Sequence, residues 1–406
     1  MSKYDDLFDA TAPADSVFAD KGALDPLAEP EEIYARTGQE RELATILNGV
    51  HDGYLPPTVS VYGPPGTGKT LTTCRVCRAF AARHDEVAVE YVNLKECRTL
   101  FSAANEILAE LTGERKKAYA GLDGVFAAIW EALAAYPAWT VLLLDEIDHV
   151  RHDTNYDPSD FFYRLLRGEG KLARDIQLSV WLLSNELLEV DLRLDSRVES
   201  AMSDEAVFFP PYGSEELTAV LAPRLERAFR NAAIPAAVRD YGVREAARRW
   251  GDARKALTLF RQAGETAIER ERDQVTEACI DANLETTERE ATIDKLLDLP
   301  INHFVVLMGV TCWSRGSEIE QPVTTNEIQT FLHNDETPAE LRLGERTIRD
   351  VVTDLETMGL VDTWIDARGD GGRVKQIETT FDPQWVRDAV KPYGADATYL
   401  GTVLEE

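Results

Sequence analysis

Short runs of apolar and β-branched residues alternate with longer stretches in which apolar positions recur every three to four residues. The short runs lie at 58–62, 87–92, 141–144, 178–183 and 206–209. Runs of that length between helix-length segments predict an α/β layer: a parallel five-stranded sheet covered by helices. An amphipathic helix is expected over 33–50, with Ile33, Leu43, Ile46 and Leu47 on its apolar side. Beyond Pro210-Pro211 the strand pattern stops, and 214–231, 236–250 and 252–287 read as helices of a second, all-helical unit. Near Asp298-Leu299-Pro300 the pattern changes again. Helical runs at 301–313, 325–332 and 344–358 precede β-like pieces at 360–365 and 374–380, joined by Asp366-Ala-Arg368-Gly-Asp-Gly-Gly-Arg373. Three helices and a glycine-rich hairpin make the winged-helix pattern, a variant of helix-turn-helix.

The expected organisation is therefore a flexible acidic arm over 1–30, Pro/Ala-rich and without a sustained period, then a base over 31–211. A helical unit over 212–295, a winged helix over 296–392 and a tail over 393–406 follow. At 406 residues, two or three domains are the prior. No stretch approaches the roughly 18 consecutive apolar residues of a membrane span, and the start lacks a basic-then-apolar leader. A soluble, cytoplasmic protein is expected. The five cysteines do not make a disulfide scaffold. Cys74 and Cys77 fall inside a helical stretch without a second pair at metal spacing, and read as buried small hydrophobes. The net charge of −29 changes the picture more. Acids are spread along the whole chain and Arg outnumbers Lys, as in the proteins of a salt-accumulating halophile. The rival account is a surface that repels nucleic acid.

The densest chemistry is Gly63-Pro-Pro-Gly66-Thr67-Gly68-Lys69-Thr70, directly behind the 58–62 run and ahead of a helical stretch. It fits G-x-x-x-x-G-K-[ST] in full, in the strand–loop–helix setting that motif requires. Glycines let successive N–H groups turn toward phosphate oxygens, and the helix adds its positive end at Leu71. Lys69 can reach the β- and γ-phosphates of ATP, and Thr70 can ligate Mg²⁺. About 75 residues on, a buried run ends in Asp145-Glu146-Ile147-Asp148. Asp145 is the expected second Mg²⁺ ligand and Glu146 the general base that takes a proton from water. Asp148 suits a helix N-cap or a supporting role. The strand at 178–183 ends in Ser184-Asn185, whose amide could help position water or simply serve a turn.

The order of these parts, followed by Leu194-Asp195-Ser196-Arg197-Val198 and Gly251-Asp252-Ala253-Arg254-Lys255-Ala256-Leu257, resembles an AAA+ ATPase with its helical lid. More narrowly the chain resembles the archaeal origin-recognition-type DNA replication initiators, over roughly residues 30 to 390. The resemblance implies that Asn185 is a first sensor, that Arg254 is a second sensor on the lid, and that Arg197 is an arginine finger offered to a neighbouring subunit. It also implies nucleotide contacts for Tyr212 and Arg224, which otherwise read as an aromatic at a domain junction and a helix-surface arginine. The family's basic segment before the first helix is Ala35-Arg36-Thr37-Gly38-Gln39-Glu40-Arg41 here, so no adenine contact is assigned to Arg36. Ser196 stands where a proline is usual.

In the third unit, Arg346 and Arg349 stand near the start of the expected recognition helix, opposite Leu355, Met358 and Leu360, with Arg342 just ahead. Arg368, Arg373 and Lys375 belong to the hairpin. A winged helix sets that helix in the major groove and the wing against backbone or minor groove. Residues 301–391 hold 9 Lys+Arg against 16 Asp+Glu, which ordinary electrostatics disfavours for DNA. In molar salt the Debye length falls to about 3 Å, distant acids no longer repel, and close arginines still act. The function implied is an ATP-switched, slowly hydrolysing, nucleoid-associated initiator that binds origin duplex DNA. Its implied partners are the minichromosome-maintenance replicative helicase and further copies or paralogues of itself. The alternative is a DNA-binding regulator or plasmid-maintenance AAA+ protein whose nucleotide is structural.

Overall fold

A computed structural model describes residues 16–97, 99–147, 157–167, 177–185, 198, 202–203, 205–297, 299–312, 321–333, 341–367 and 373–390. Asp148, Arg197 and Arg368 lie outside the described residues. The chain divides into two compact units, 1–281 and 282–406.

The first unit is built on five parallel strands, β1 (Thr58–Tyr62), β2 (Val87–Asn93), β3 (Trp139–Asp145), β4 (Gln177–Ser184) and β5 (Ala206–Phe208), in the order β2-β3-β4-β1-β5. Alternation within the strands explains the two-sided core. Val141, Leu143, Trp181 and Leu183 face a layer with Val59, Val61, Leu43 and Leu47, while Leu142, Leu144, Val180 and Leu182 face the other. The first layer is completed by α1 (Thr37–Asn48) and α2 (Lys69–Ala81), the second by α3 (Leu100–Thr112), α4 (Gly121–Leu133) and α5 (Pro158–Arg167). Each such fully buried aliphatic side chain contributes roughly 1.5–3 kcal/mol by area, opposed by chain entropy. The five-stranded parallel sheet with flanking helices is the expected fold class.

The lid consists of α6 (Ser214–Ala228), α7 (Ala236–Arg249) and α8 (Ala253–Glu269). One helix was expected over 252–287. Two form: α8 ends at Glu269, Glu271 takes a positive φ of 53°, and α9 (Glu277–Leu297) begins after the buried Val275. The division between the units falls inside α9.

Residues 16–30 do not behave as the free arm expected. Phe18 bridges to Phe229 in antiparallel fashion, its ring 5.1 Å from the Phe229 ring and pressed on Gly264 of α8. Val17, Ala23 and Leu24 are buried. The apolar residues are too few and irregular to show a period, yet they are buried where the segment packs on α6 and α8.

In the second unit, α10 (Ile301–Cys312), α11 (Thr325–Leu332) and α12 (Glu345–Thr357) pack with β6 (Val323–Thr324), β7 (Val361–Ala367) and β8 (Arg373–Thr379). The sheet order is β6-β8-β7, antiparallel throughout. This is the winged-helix arrangement, closed by α13 (Gln384–Val390). The two-residue β6 is too short to read from sequence. Thr324 and Glu327 start α11 with a capping box.

Candidate functional site

The loop between β1 and α2 needs its glycines. Gly63, Gly66 and Gly68 have φ of 145°, 70° and 87°, where side chains are strained. A Cβ on Gly63 would run into the Phe209 carbonyl and one on Gly66 into the Asp252 carboxylate. One on Gly68 would stand 2.9 Å from the Tyr212 hydroxyl. The Thr67 hydroxyl donates to the Pro64 carbonyl at 2.8 Å. Lys69 folds back inside the turn and donates to the carbonyls of Gly63 at 2.5 Å and Pro64 at 2.9 Å. Leu71 is half-buried in the first turn of α2.

Sheet order brings the separate motifs together. β4 lies between β3 and β1, so Asn185, just past the end of β4, reaches the loop: its Oδ1 is 3.4 Å from the Lys69 ammonium. Asp145 ends β3. The Thr70 hydroxyl donates to its Oδ2 at 2.9 Å, the Tyr91 hydroxyl to the same oxygen at 2.8 Å, and the Glu146 N–H to Oδ1 at 3.0 Å. Burial still holds this carboxyl above the usual range, against the pull of the Tyr91 and Thr70 hydrogen bonds. Glu146 has a φ of 57°, a strained position for a side-chain-bearing residue and one that sites of chemistry often carry.

The donor chemistry suits Mg²⁺. Thr70 and Asp145 offer hard oxygens to one point, and no cluster of three or more His, Cys, Asp or Glu ligands exists among the described residues. Mg²⁺ characteristically takes one or two protein oxygens and completes its shell with phosphate and water. The glycine cradle likewise fits a polyphosphate, since added Cβ atoms would fill it.

The lid is seated on this loop. The Ala253 N–H donates to the Gly66 carbonyl at 3.2 Å, and the Tyr212 N–H to Gly251 at 2.8 Å. Asp252 caps α8 by accepting from the N–H groups of Arg254 at 2.7 Å and Lys255 at 3.1 Å. Its burial against Gly66 pushes its carboxyl upward. Arg254 is exposed on the first turn of α8. Tyr212 is buried beside the loop. Arg224 is placed differently from the nucleotide-contacting role expected: its guanidinium donates to the carbonyls of Ala23 at 2.8 Å and Asp25 at 2.5 Å, and so holds the N-terminal segment. Tyr91, in β2, was missed: in sequence it looks like any strand aromatic. Arg36, to which no adenine contact is assigned, is buried against the loop.

In the second unit, Ile348, Val351, Val352 and Leu355 of α12 face the core, as do Leu360 and, in part, Met358. Arg342, Arg346 and Arg349 are exposed, and Arg349 donates to Glu345 one turn earlier. Arg373 opens β8. Lys375 donates to Glu356 at 3.2 Å, and Thr363 and Lys375 together hold the Glu356 carboxyl below its ordinary range. Lys375, expected as a DNA contact, is thus paired within the unit, and an exposed pair of this kind is weak enough to exchange partners.

Two family models match. Residues 56–187 match an AAA domain, and residues 218–283 a Cdc6 AAA+ ATPase-type lid domain. The chain is 30% identical over 392 residues to an ORC1-type DNA replication protein of Thermococcus kodakarensis, covering 94% of this chain and 92% of that one. It is 29% identical over 389 residues to ORC1-type DNA replication protein 2 of Haloarcula marismortui, covering 93% and 92%. Among solved structures, that of the Aeropyrum pernix ORC1 protein in complex with DNA matches with a TM-score of 0.70 at 25% identity, over 95% of this chain and 98% of that one.

Proposed function

We propose a function for this chain from the premise that it belongs to the family of ORC1-type DNA replication proteins. It is an ATP-dependent initiator that binds origin duplex DNA and helps recruit the replicative minichromosome-maintenance helicase, acting with further copies or paralogues of itself. The observation that carries the reading is the meeting of Lys69, Thr70, Asp145 and Asn185 at adjacent strand ends, beneath a lid hydrogen-bonded to the loop.

Bound ATP with Mg²⁺ supplies a cleavable γ-phosphoryl group, and so two states to report. Lys69 would exchange its loop carbonyls for phosphate oxygens. Thr70 and Asp145 would hold the metal, with Tyr91 keeping the carboxylate aimed. Glu146 would take the proton of water, and Asn185 would orient that water. Arg254 would bring positive charge from the lid, and Arg197 would offer its charge to a neighbouring copy. Tyr212 would close the nucleotide side of the lid junction.

On DNA, Arg342, Arg346 and Arg349 would meet base edges and nearby phosphates, and Arg368, Arg373 and Lys375 the backbone or minor groove. The charge of −29 suits such contacts only in concentrated salt, which is the setting we assign to this protein.

The test is single-turnover ATP hydrolysis in molar KCl with the wild type and Glu146→Gln. Turnover in the wild type that is lost in the variant, with ATP binding kept, supports the switch. ATP held by the wild type without cleavage would favour a purely structural nucleotide.

A further inference from the structure

Arg36 is 1% exposed, whereas the other arginines among the described residues mostly face solvent. Its Nε donates to the Thr67 carbonyl at 2.9 Å, and its terminal nitrogens donate to Pro210 at 2.7 Å and Ala35 at 3.3 Å. The guanidinium carbon lies 3.7 Å from the Tyr212 ring centroid. The Glu216 carboxylate, 3.8 Å away, is itself partly exposed. Burying this charge is costly, and an apolar side chain would fill the space at less cost. Ala35 adds to the cost with a φ of 59°. Both costs are met only because the three carbonyls and the ring hold the fork in place.

The Thr67 carbonyl explains what the charge can do. A trans peptide is planar, with C=O and N–H pointing opposite ways. Anchoring the Thr67 oxygen on Arg36 therefore turns the Gly68 N–H away from Arg36. The bond from Ala253 to the Gly66 carbonyl orients the Thr67 N–H in the same manner. Neither of these N–H groups donates to a protein acceptor among the described residues. Two successive loop peptides are thus fixed from outside, one by the N-terminal segment and one by the lid.

We infer that Arg36 is a positioning residue for the polyphosphate of a nucleoside di- or triphosphate. It locks the Thr67–Gly68 peptide and seats Tyr212 against the loop, while its own donors are engaged by backbone carbonyls and do not read the base. The inference rests on the nucleotide-binding reading above.

The experiment is calorimetric titration of ADP and ATP into full-length protein in molar KCl, with melting of each nucleotide-free variant alongside. Arg36→Met is expected to weaken ADP and ATP alike by about tenfold, the scale of one charged hydrogen bond. In steady state the loss should fall on KM more than on kcat. Arg36→Lys keeps the charge but lacks the planar fork that spans the Thr67 and Pro210 carbonyls, and should lie between Met and wild type. If Arg36→Met does not fold, Arg36→Gln, polar and of similar length, takes its place. A variant that melts earlier yet binds both nucleotides like wild type would overturn the inference and leave Arg36 a packing residue. Wild type that binds neither nucleotide, or Lys69→Ala that binds both normally, would instead remove the nucleotide reading itself.

Discussion

Asp145 accepts three hydrogen bonds, yet burial keeps its carboxyl above the ordinary range. The sign of the linkage follows. The folded state favours the neutral form, so the contribution to stability is complete below the unfolded value of about 3.9. It is lost as pH rises through the raised folded value. At neutral pH the ionised group is a cost that a bound cation would relieve. Asp145→Asn keeps an acceptor for Tyr91 and Thr70 and should stabilise the nucleotide-free protein at pH 7.5 by on the order of 1 kcal/mol. The gain should vanish near pH 4, and Mg²⁺-dependent turnover should be lost. Melting curves at the two pH values check this; a lower melting temperature at pH 7.5 would mean the charge is stabilising. Lys69→Ala should abolish ATP binding, read by titration. Arg254→Ala should slow hydrolysis more than it lowers ADP affinity, because ADP lacks the γ-phosphate that a lid arginine would meet. Equal loss for ADP and ATP would reassign Arg254 to general binding or folding.

Among the elements, the N-terminal segment joins parts that the sequence leaves separate. Phe18 and Leu24 pack on the lid, Arg227 pairs with Asp20, and Lys21 with Glu265 of α8. Further on, Arg75 of α2 donates to the carbonyls of Pro30 and Glu31. Phe18→Ala should therefore open a cavity against Gly264 and Phe229 and cost about 3 kcal/mol, measured by denaturant unfolding. A loss below 0.5 kcal/mol would show that the ring adds little. In α12 the burial pattern separates Ile348, Val352 and Leu355 from Arg346 and Arg349. Changing either arginine to alanine should reduce discrimination between origin and scrambled duplexes in molar KCl. Changing Arg373 should weaken both duplexes evenly, as a phosphate contact would.

For the whole molecule, 72 acids against 43 cations make self-repulsion the dominant long-range force. Screening by KCl should raise the melting temperature steadily from 0.2 M to 2 M, and a flat profile would remove the halophilic reading. The strands and both unit types were legible because their signals are local. A period of two or 3.6, a loop motif contiguous from Gly63 to Thr70, and acids at a strand end all lie within a few residues of one another. Even α12 follows from one apolar stripe. The partners of Arg36, Tyr91 and Arg224 were not legible, since they lie 31 and 174, 54, and 201 and 199 residues away. A sequence records that a residue is cationic or aromatic, and how its neighbours repeat. Whether that residue meets water or a carbonyl from a distant turn depends on sheet order and on where the lid comes to rest. The chain's own pattern thus determined the layers and the loop that fits a nucleotide. Tertiary packing alone decided which charges are buried around that loop, because burial is a property of every element that closes over a residue.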